Sequence, residues 1–136
     1  MPLLIIAAAS IIACTDPSVH DGDTIRCGAE RVRLFGVDAP EVLRGQTPAE
    51  PFAYDARDEL IRLTRGRVGC RFVERDRYGR FVGKCWSSVS SDVNAAVIRS
   101  GFATEYRRYS KGLYARAESE ARSAGHGAWA GQAQAR

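Results

Sequence analysis

The chain has 136 residues, with 26% charged and 45% hydrophobic, which is the composition of an ordinary globular protein. That length leaves no room for a second domain of usual size, and it suffices to bury most of a core. The net charge of +4 and pI near 9.1 suit a polyanionic partner without requiring one. Lys84 and Lys111 are the only lysines, so the positive charge is mostly arginine. Arginine is the better phosphate fork, although a GC-rich genome produces the same bias.

In chain order, residues 1–13, MPLLIIAAASIIA, come first and carry no charged side chain. They are too few for a membrane span of roughly 20 residues. They have the length of a signal-peptide core, with Ala7-Ala8-Ala9 as small residues for cleavage, but no basic segment precedes them. Two other readings stay open. Ile11-Ile12-Ala13-Cys14 resembles a lipoprotein box with Cys14 lipidated, and Ile11 and Ile12 also suit a first β-strand. The domain proper is placed at residues 14–131, with a tail at 132–136.

Two strands are expected within residues 22–37, DTIRC and RVRLFGV, joined by Gly28-Ala29-Glu30. Thr47-Pro48-Ala49-Glu50 fits a capping box, and Pro51 a first helical residue. Phe52, Ala56, Leu60 and Leu63 then form one apolar helical face that ends at Gly66. Residues 67–74 and 79–86 form a hairpin around Asp76-Arg77-Tyr78-Gly79. Asp92 caps a short helix that ends at Gly101. A last helix spans 111–124, with Leu113, Ala117, Ala121 and Ala124 inward, and Trp129 packing back. This α+β pattern allows a small closed barrel of the OB type with helices outside. No long apolar stripe is left over, so a monomer is expected.

The four cysteines fall into two pairs. Cys70 and Cys85 are equidistant from a turn and face each other across a ladder. Cys14 and Cys27 flank Asp21-Gly22 in a register off by about two residues from a tight turn. Two bridges imply an oxidising compartment, and so a secreted or periplasmic protein. His20 and His126 are the only histidines and no C-x-x-C occurs, which argues against zinc.

The charged motifs carry the chemistry. Asp21-Gly22-Asp23-Thr24 opens one strand, Asp38 and Glu41 close the next, and Asp76-Arg77-Tyr78-Gly79-Arg80 turns a hairpin. The start of one antiparallel strand lies near the end of its neighbour, so Asp23 and Asp38 are expected to converge. Converging carboxylates call for a cation, and oxygen ligands favour Ca²⁺ or Mg²⁺. With a glutamate base and arginine forks, these groups make up the parts list for phosphodiester hydrolysis. Separately, each motif also reads as a plain turn or strand exit.

DGDT at 21–24, RLFGVDAPE at 33–41, DRYGR at 76–80 and DVNAAVIRSG at 92–101 together resemble the staphylococcal nuclease family, in its order and with similar intervals. The resemblance implies a five-stranded OB barrel with three helices. It implies a calcium-dependent endonuclease acting on DNA or RNA that leaves 3′-phosphate ends. Asp23 and Asp38 match the carboxylate ligands of Ca²⁺, and Ala39 the position that contributes a backbone carbonyl. Glu41 matches the general base, and Arg33 and Arg80 the pair that grips the scissile phosphate. Tyr78, Tyr106 and Tyr109 match tyrosines near the nucleotide. The loop Val42–Thr47 is shorter than in the best-known member, and Pro17 interrupts the expected first strand. A superfamily module that binds nucleic acid without cutting it is the alternative. A lipid-anchored protein in which the fold is only structural is a weaker one.

Overall fold

The computed structural model describes residues 10–133. Residues 1–9 of the expected 1–13 leader, with the cleavage motif Ala7-Ala8-Ala9, and residues 134–136 of the tail lie outside the described residues. The chain begins with β1 (Ile11–Thr15), β2 (Ser18–Asp21), β3 (Thr24–Cys27), β4 (Glu30–Leu34) and β5 (Val37–Asp38). Helix α1 (Ala53–Leu63) separates these from the hairpin of β6 (Arg67–Arg75) and β7 (Phe81–Ser87). Then follow α2 (Val93–Arg99), β8 (Thr104–Glu105), α3 (Arg107–Ser110) and α4 (Ala115–Ala124). A 3-10 turn at Gly127–Trp129 and α5 (Ala130–Ala133) end the described chain.

Six strands form one curled sheet in the order β1-β6-β7-β4-β3-β2, and β5 pairs with β8 separately. The β4–β7 pairing is parallel and the other ladders are antiparallel. The expected five-stranded closed barrel with three helices is therefore replaced by a half-open six-stranded sheet with additional short helices. The extra strand arises at Asp16-Pro17. Proline cannot donate to a ladder, and the chain turns a corner there. Asp16 takes a left-handed φ of 47°. Its N–H donates to the Gly66 carbonyl at 2.8 Å, and its Oδ1 accepts from the Gly66 N–H at 2.6 Å. One expected strand thus becomes two, which lie at opposite edges of the sheet. β1 starts at Ile11, three residues before the domain boundary expected from the sequence.

The concave side is filled by Ile25, Val32, Leu34, Leu60, Phe81 and Ile98, all essentially inaccessible. Helix α1 buries Ala53, Ala56, Leu60 and Leu63, while Phe52 is exposed and only caps it with φ 67°. The helix starts later than Thr47–Pro51 because those residues are used otherwise. Thr47 bridges Arg44, and Glu50 bonds back to Glu41 through both its N–H and its side chain. Asp92 caps α2 as expected, accepting from the Ala95 N–H at 3.0 Å. Helix α4 begins at Ala115, so Leu113 lies in the turn before it and is exposed, as is Ala124; Ala117 and Ala121 are buried.

Both disulfides form. Cys70 and Cys85 are direct partners in the β6–β7 ladder. The Cys14–Cys27 bridge does not cross its own hairpin. It joins β1, at one edge of the sheet, to β3, beside the other edge. It therefore clamps the side of the curl that no ladder closes. A Cys14 in this bond has no thiol for lipidation. We expect Cys14→Ala/Cys27→Ala to lose about 3 kcal/mol in urea unfolding. Cys70→Ala/Cys85→Ala is expected to lose less than that, because ladder hydrogen bonds already hold those strands together. Equal losses would contradict the clamp.

Candidate active site

The turn from β2 to β3 carries Asp21-Gly22-Asp23. Both carboxylates are buried, at 3% and 2% exposure. Gly22 makes the position possible. A β-carbon there would stand 2.6 Å from Cβ of Ala56 and 2.8 Å from Cβ of Ala39, so only glycine lets the turn press against α1 and the exit of β5. Asp23 is then surrounded by donors. Its Oδ2 accepts from the Ala39 N–H at 2.9 Å and pairs with Arg33 Nη1, and its Oδ1 accepts from Thr24 Oγ1 at 2.9 Å. Oδ1 of Asp21 accepts from the Asp23 N–H at 3.2 Å.

Arg33 faces away from the core, between the inward side chains of Val32 and Leu34. Its register partner on β3 is Thr24, which brings the guanidinium to Asp23. The parallel ladder pairs Val32 with Phe81, so Arg80 comes level with β4. Asp76 fixes it there. One Asp76 oxygen accepts from the N–H groups of Tyr78 and Arg80, each at 2.9 Å, and the other from Arg80 Nε at 2.7 Å. Glu41 is exposed, and its Oε2 accepts from Arg44 Nη2 at 3.3 Å.

Asp21, Asp23, Arg33, Glu41, Tyr78 and Arg80 line one cleft of about 810 Å³. Asp38 and Ala39 line an adjoining hollow that shares Glu41 with the cleft. Tyr106 and Tyr109, their rings 5.0 Å apart, line a second adjoining groove that shares Arg33, Tyr78 and Arg80. The structure thus gathers five of the nine expected site residues in one cleft and sets the other four along its borders. Sequence reasoning passed over Asp21, whose signal was its place two residues before Asp23 in a motif already marked.

Residues 31–131 match the family model described as staphylococcal nuclease homologue. The chain belongs to the staphylococcal nuclease family. It is 43% identical over 127 residues to the succinoglycan biosynthesis protein ExoI of Rhizobium meliloti, an alignment covering 85% of this chain and 63% of that one. It is 30% identical over 126 residues to a probable staphylococcal-like nuclease of Oryza sativa subsp. japonica, covering 91% of this chain and 31% of the relative. An uncharacterized endonuclease of Escherichia coli is 29% identical over 140 residues, covering 95% of this chain and 88% of its own length. The chain thus spans less than two thirds of the first two relatives.

The cleft is strongly charged. Burial alone would raise the Asp23 carboxyl, yet the Arg33 guanidinium and donated hydrogen bonds hold it below the usual carboxylate range. Asp21 makes no ion pair among the described residues. Burial, then its contact with Asp23, pushes it up to about 8. Desolvation and the Asp23 charge also raise Asp38. Asp23, Asp38 and, once it sheds its proton, Asp21 offer only oxygen donors. That donor set fits a hard divalent cation. Among the described residues, however, no three His, Cys, Asp or Glu side chains stand as an assembled metal cluster.

These shifts set a pH dependence without metal. Between about pH 4 and 8, folded Asp21 keeps a proton that the unfolded chain has shed. Stability therefore falls as pH rises through that window. The Asp23 contribution has the opposite sign and is lost only as pH falls below the usual carboxylate range. In EDTA, the wild type should lose on the order of 3 kcal/mol from pH 4.5 to pH 8, and Asp21→Asn should lose little. Urea unfolding at the two pH values checks this. A wild type more stable at pH 8 would contradict the assignment.

Proposed function

We propose that the protein is a calcium-dependent endonuclease that hydrolyses phosphodiester bonds of DNA or RNA and leaves 3′-phosphate ends. The observation that carries this reading is the convergence of Asp23, Arg33, Glu41, Tyr78 and Arg80 on one cleft in a chain of this family. Asp23, Asp38 and the Ala39 carbonyl would hold the cation, with Asp21 beside them. When bound, Ca²⁺ neutralises developing charge and makes an associated water easier to deprotonate.

The remaining steps fall to the chain's own residues. Arg33 and Arg80 fork onto the nonbridging oxygens of the scissile phosphate and stabilise the charge that builds there. Glu41 accepts a proton from the attacking water. The water oxygen bonds to phosphorus as the bond to the 5′ oxygen breaks in line with it. The leaving oxygen takes a proton from solvent. Tyr78, Tyr106 and Tyr109 offer aromatic faces to the adjacent nucleotide.

The two disulfides support a secreted or periplasmic site of action, and we take the working unit as a monomer. The test is cleavage of a plasmid and of a labelled oligonucleotide with Ca²⁺, with EGTA, and with Glu41→Gln in Ca²⁺. We expect loss of activity in EGTA and a 10²–10⁴-fold fall in kcat for the variant, with binding retained. The second reading, a module that binds without cutting, draws on the Tyr106–Tyr109 pair and on the lack of an assembled carboxylate triad among the described residues. Tight binding with no cleavage in Ca²⁺ would favour it.

A further inference from the structure

Three cleft arginines have no part in the mechanism above, and of these Arg44 is ion-paired with Glu41 while Arg26 and Arg31 are in no ion pair among the described residues. Arg26 and Arg31 are both exposed and are direct partners in the β3–β4 ladder. Like charges set opposite one another on paired strands destabilise a sheet. Neither side chain makes an ion pair or lies over an aromatic ring among the described residues. The neighbouring carboxylate offers no relief, because Glu30 is engaged with Arg75 at 2.6 Å. Arg71 and Lys84 are also directly opposed, but Lys84 stands 5.5 Å from the centre of the Phe35 ring. The Arg26–Arg31 pair has no such internal compensation.

Their position indicates what compensates them. Both line the cleft that holds Arg33, Glu41 and Arg80. Arg31 and Arg33 are two residues apart on one strand and so share its outer face, roughly 7 Å apart. Arg80 is level with Arg31 across the β4–β7 ladder, and Arg26 lies on the next strand beyond. A cationic row thus crosses the sheet for about two strand spacings, roughly 10 Å. Arg26 stands on the far side of β4 from the turn that carries Tyr78.

We infer that Arg26 and Arg31 bind a second phosphate of the nucleic-acid strand, beyond the one gripped by Arg33 and Arg80 and away from Tyr78. The inference rests on nucleic acid being the occupant of the cleft. It makes the protein prefer strands longer than a dinucleotide, and it makes that preference electrostatic.

The test compares the wild type with Arg26→Gln/Arg31→Gln. Binding of a fluorescent single-stranded 12-mer is followed by anisotropy in EDTA over a range of salt. Cleavage in Ca²⁺ is measured on the 12-mer and on a dinucleotide. The variant should show a slope of log affinity against log salt shallower by about one. Its ratio of kcat/KM for 12-mer over dinucleotide should fall about tenfold. Relief of the like-charge contact should leave the urea midpoint equal or higher, which separates this role from a structural one. An unchanged salt slope overturns the inference. A wild type that binds the 12-mer but cuts neither substrate defeats the nuclease reading alone, and the slope then decides the second phosphate by itself.

Discussion

Replacing Arg80 with alanine is expected to lower kcat for phosphodiester cleavage by about 10³-fold while changing folding stability by no more than about 1 kcal/mol. The separation follows from where Arg80 sits. Its ion pair with Asp76 closes a hairpin turn, with both side chains partly open to water, at 24% and 20% exposure. Screening makes such a pair worth little to the fold. Arg33 presents the contrasting case. It faces Asp23, a carboxylate 2% exposed, so Arg33→Ala strands a buried charge. That variant should lose a similar factor in kcat and, in addition, about 3 kcal/mol of stability. Lysine at position 80 keeps the charge without the planar fork, so it should recover only part of the rate. Single-turnover kinetics with urea unfolding on the same preparations would distinguish the two arginines. Wild-type turnover in Arg80→Ala would remove this residue from the mechanism.

The largest loss of stability should come from a residue with no place in the chemistry. Asn94 is fully buried at the start of α2. Its Oδ1 accepts from the Cys85 N–H at 3.0 Å, and its Nδ2 donates to the carbonyls of Phe35 at 2.9 Å and Gly83 at 3.1 Å. One amide therefore satisfies backbone groups of β7 and of the segment just past β4, at the parallel join. Alanine would leave a donor and two acceptors with reduced pairing in an apolar interior, at about 1–3 kcal/mol for each group left unsatisfied. We expect Asn94→Ala to lose about 4 kcal/mol, and Asn94→Asp to do no better, since it removes both donated bonds and can bury a charge. A variant within 1 kcal/mol of wild type in urea would show that water or relaxation replaces the amide.

Much of this architecture was legible from local patterns. The Asp92 cap, the buried face of α1 and the Cys70–Cys85 pairing follow from spacing, because each depends on residues close in sequence. The failures involved contacts that local spacing does not encode. Thr47 and Glu50 have the form of a capping box but clamp the Glu41–Glu50 loop instead. The β5–β8 pairing joins two-residue strands, too short for any periodicity to reveal. Spacing pairs Cys14 with Cys27, but as flanks of one hairpin; the curl of the sheet, which brings β1 to β3, is a global property. At the site, the motifs marked Asp23, Arg33, Glu41 and Arg80. Asp21 was hidden because its burial depends on Gly22 closing against Ala56, a contact across 34 positions.

The bridge between Cys14 and Cys27 also has a topological consequence. It spans 13 positions, and Asp21 and Asp23 both lie within them. The acidic turn is therefore part of a macrocycle, fastened covalently at either end. Thiol reductants that never touch a carboxylate would open this loop and slacken the geometry of the acid pair. Loss of the proposed cation affinity should then accompany loss of the sulfur link, even where most of the curled sheet survives.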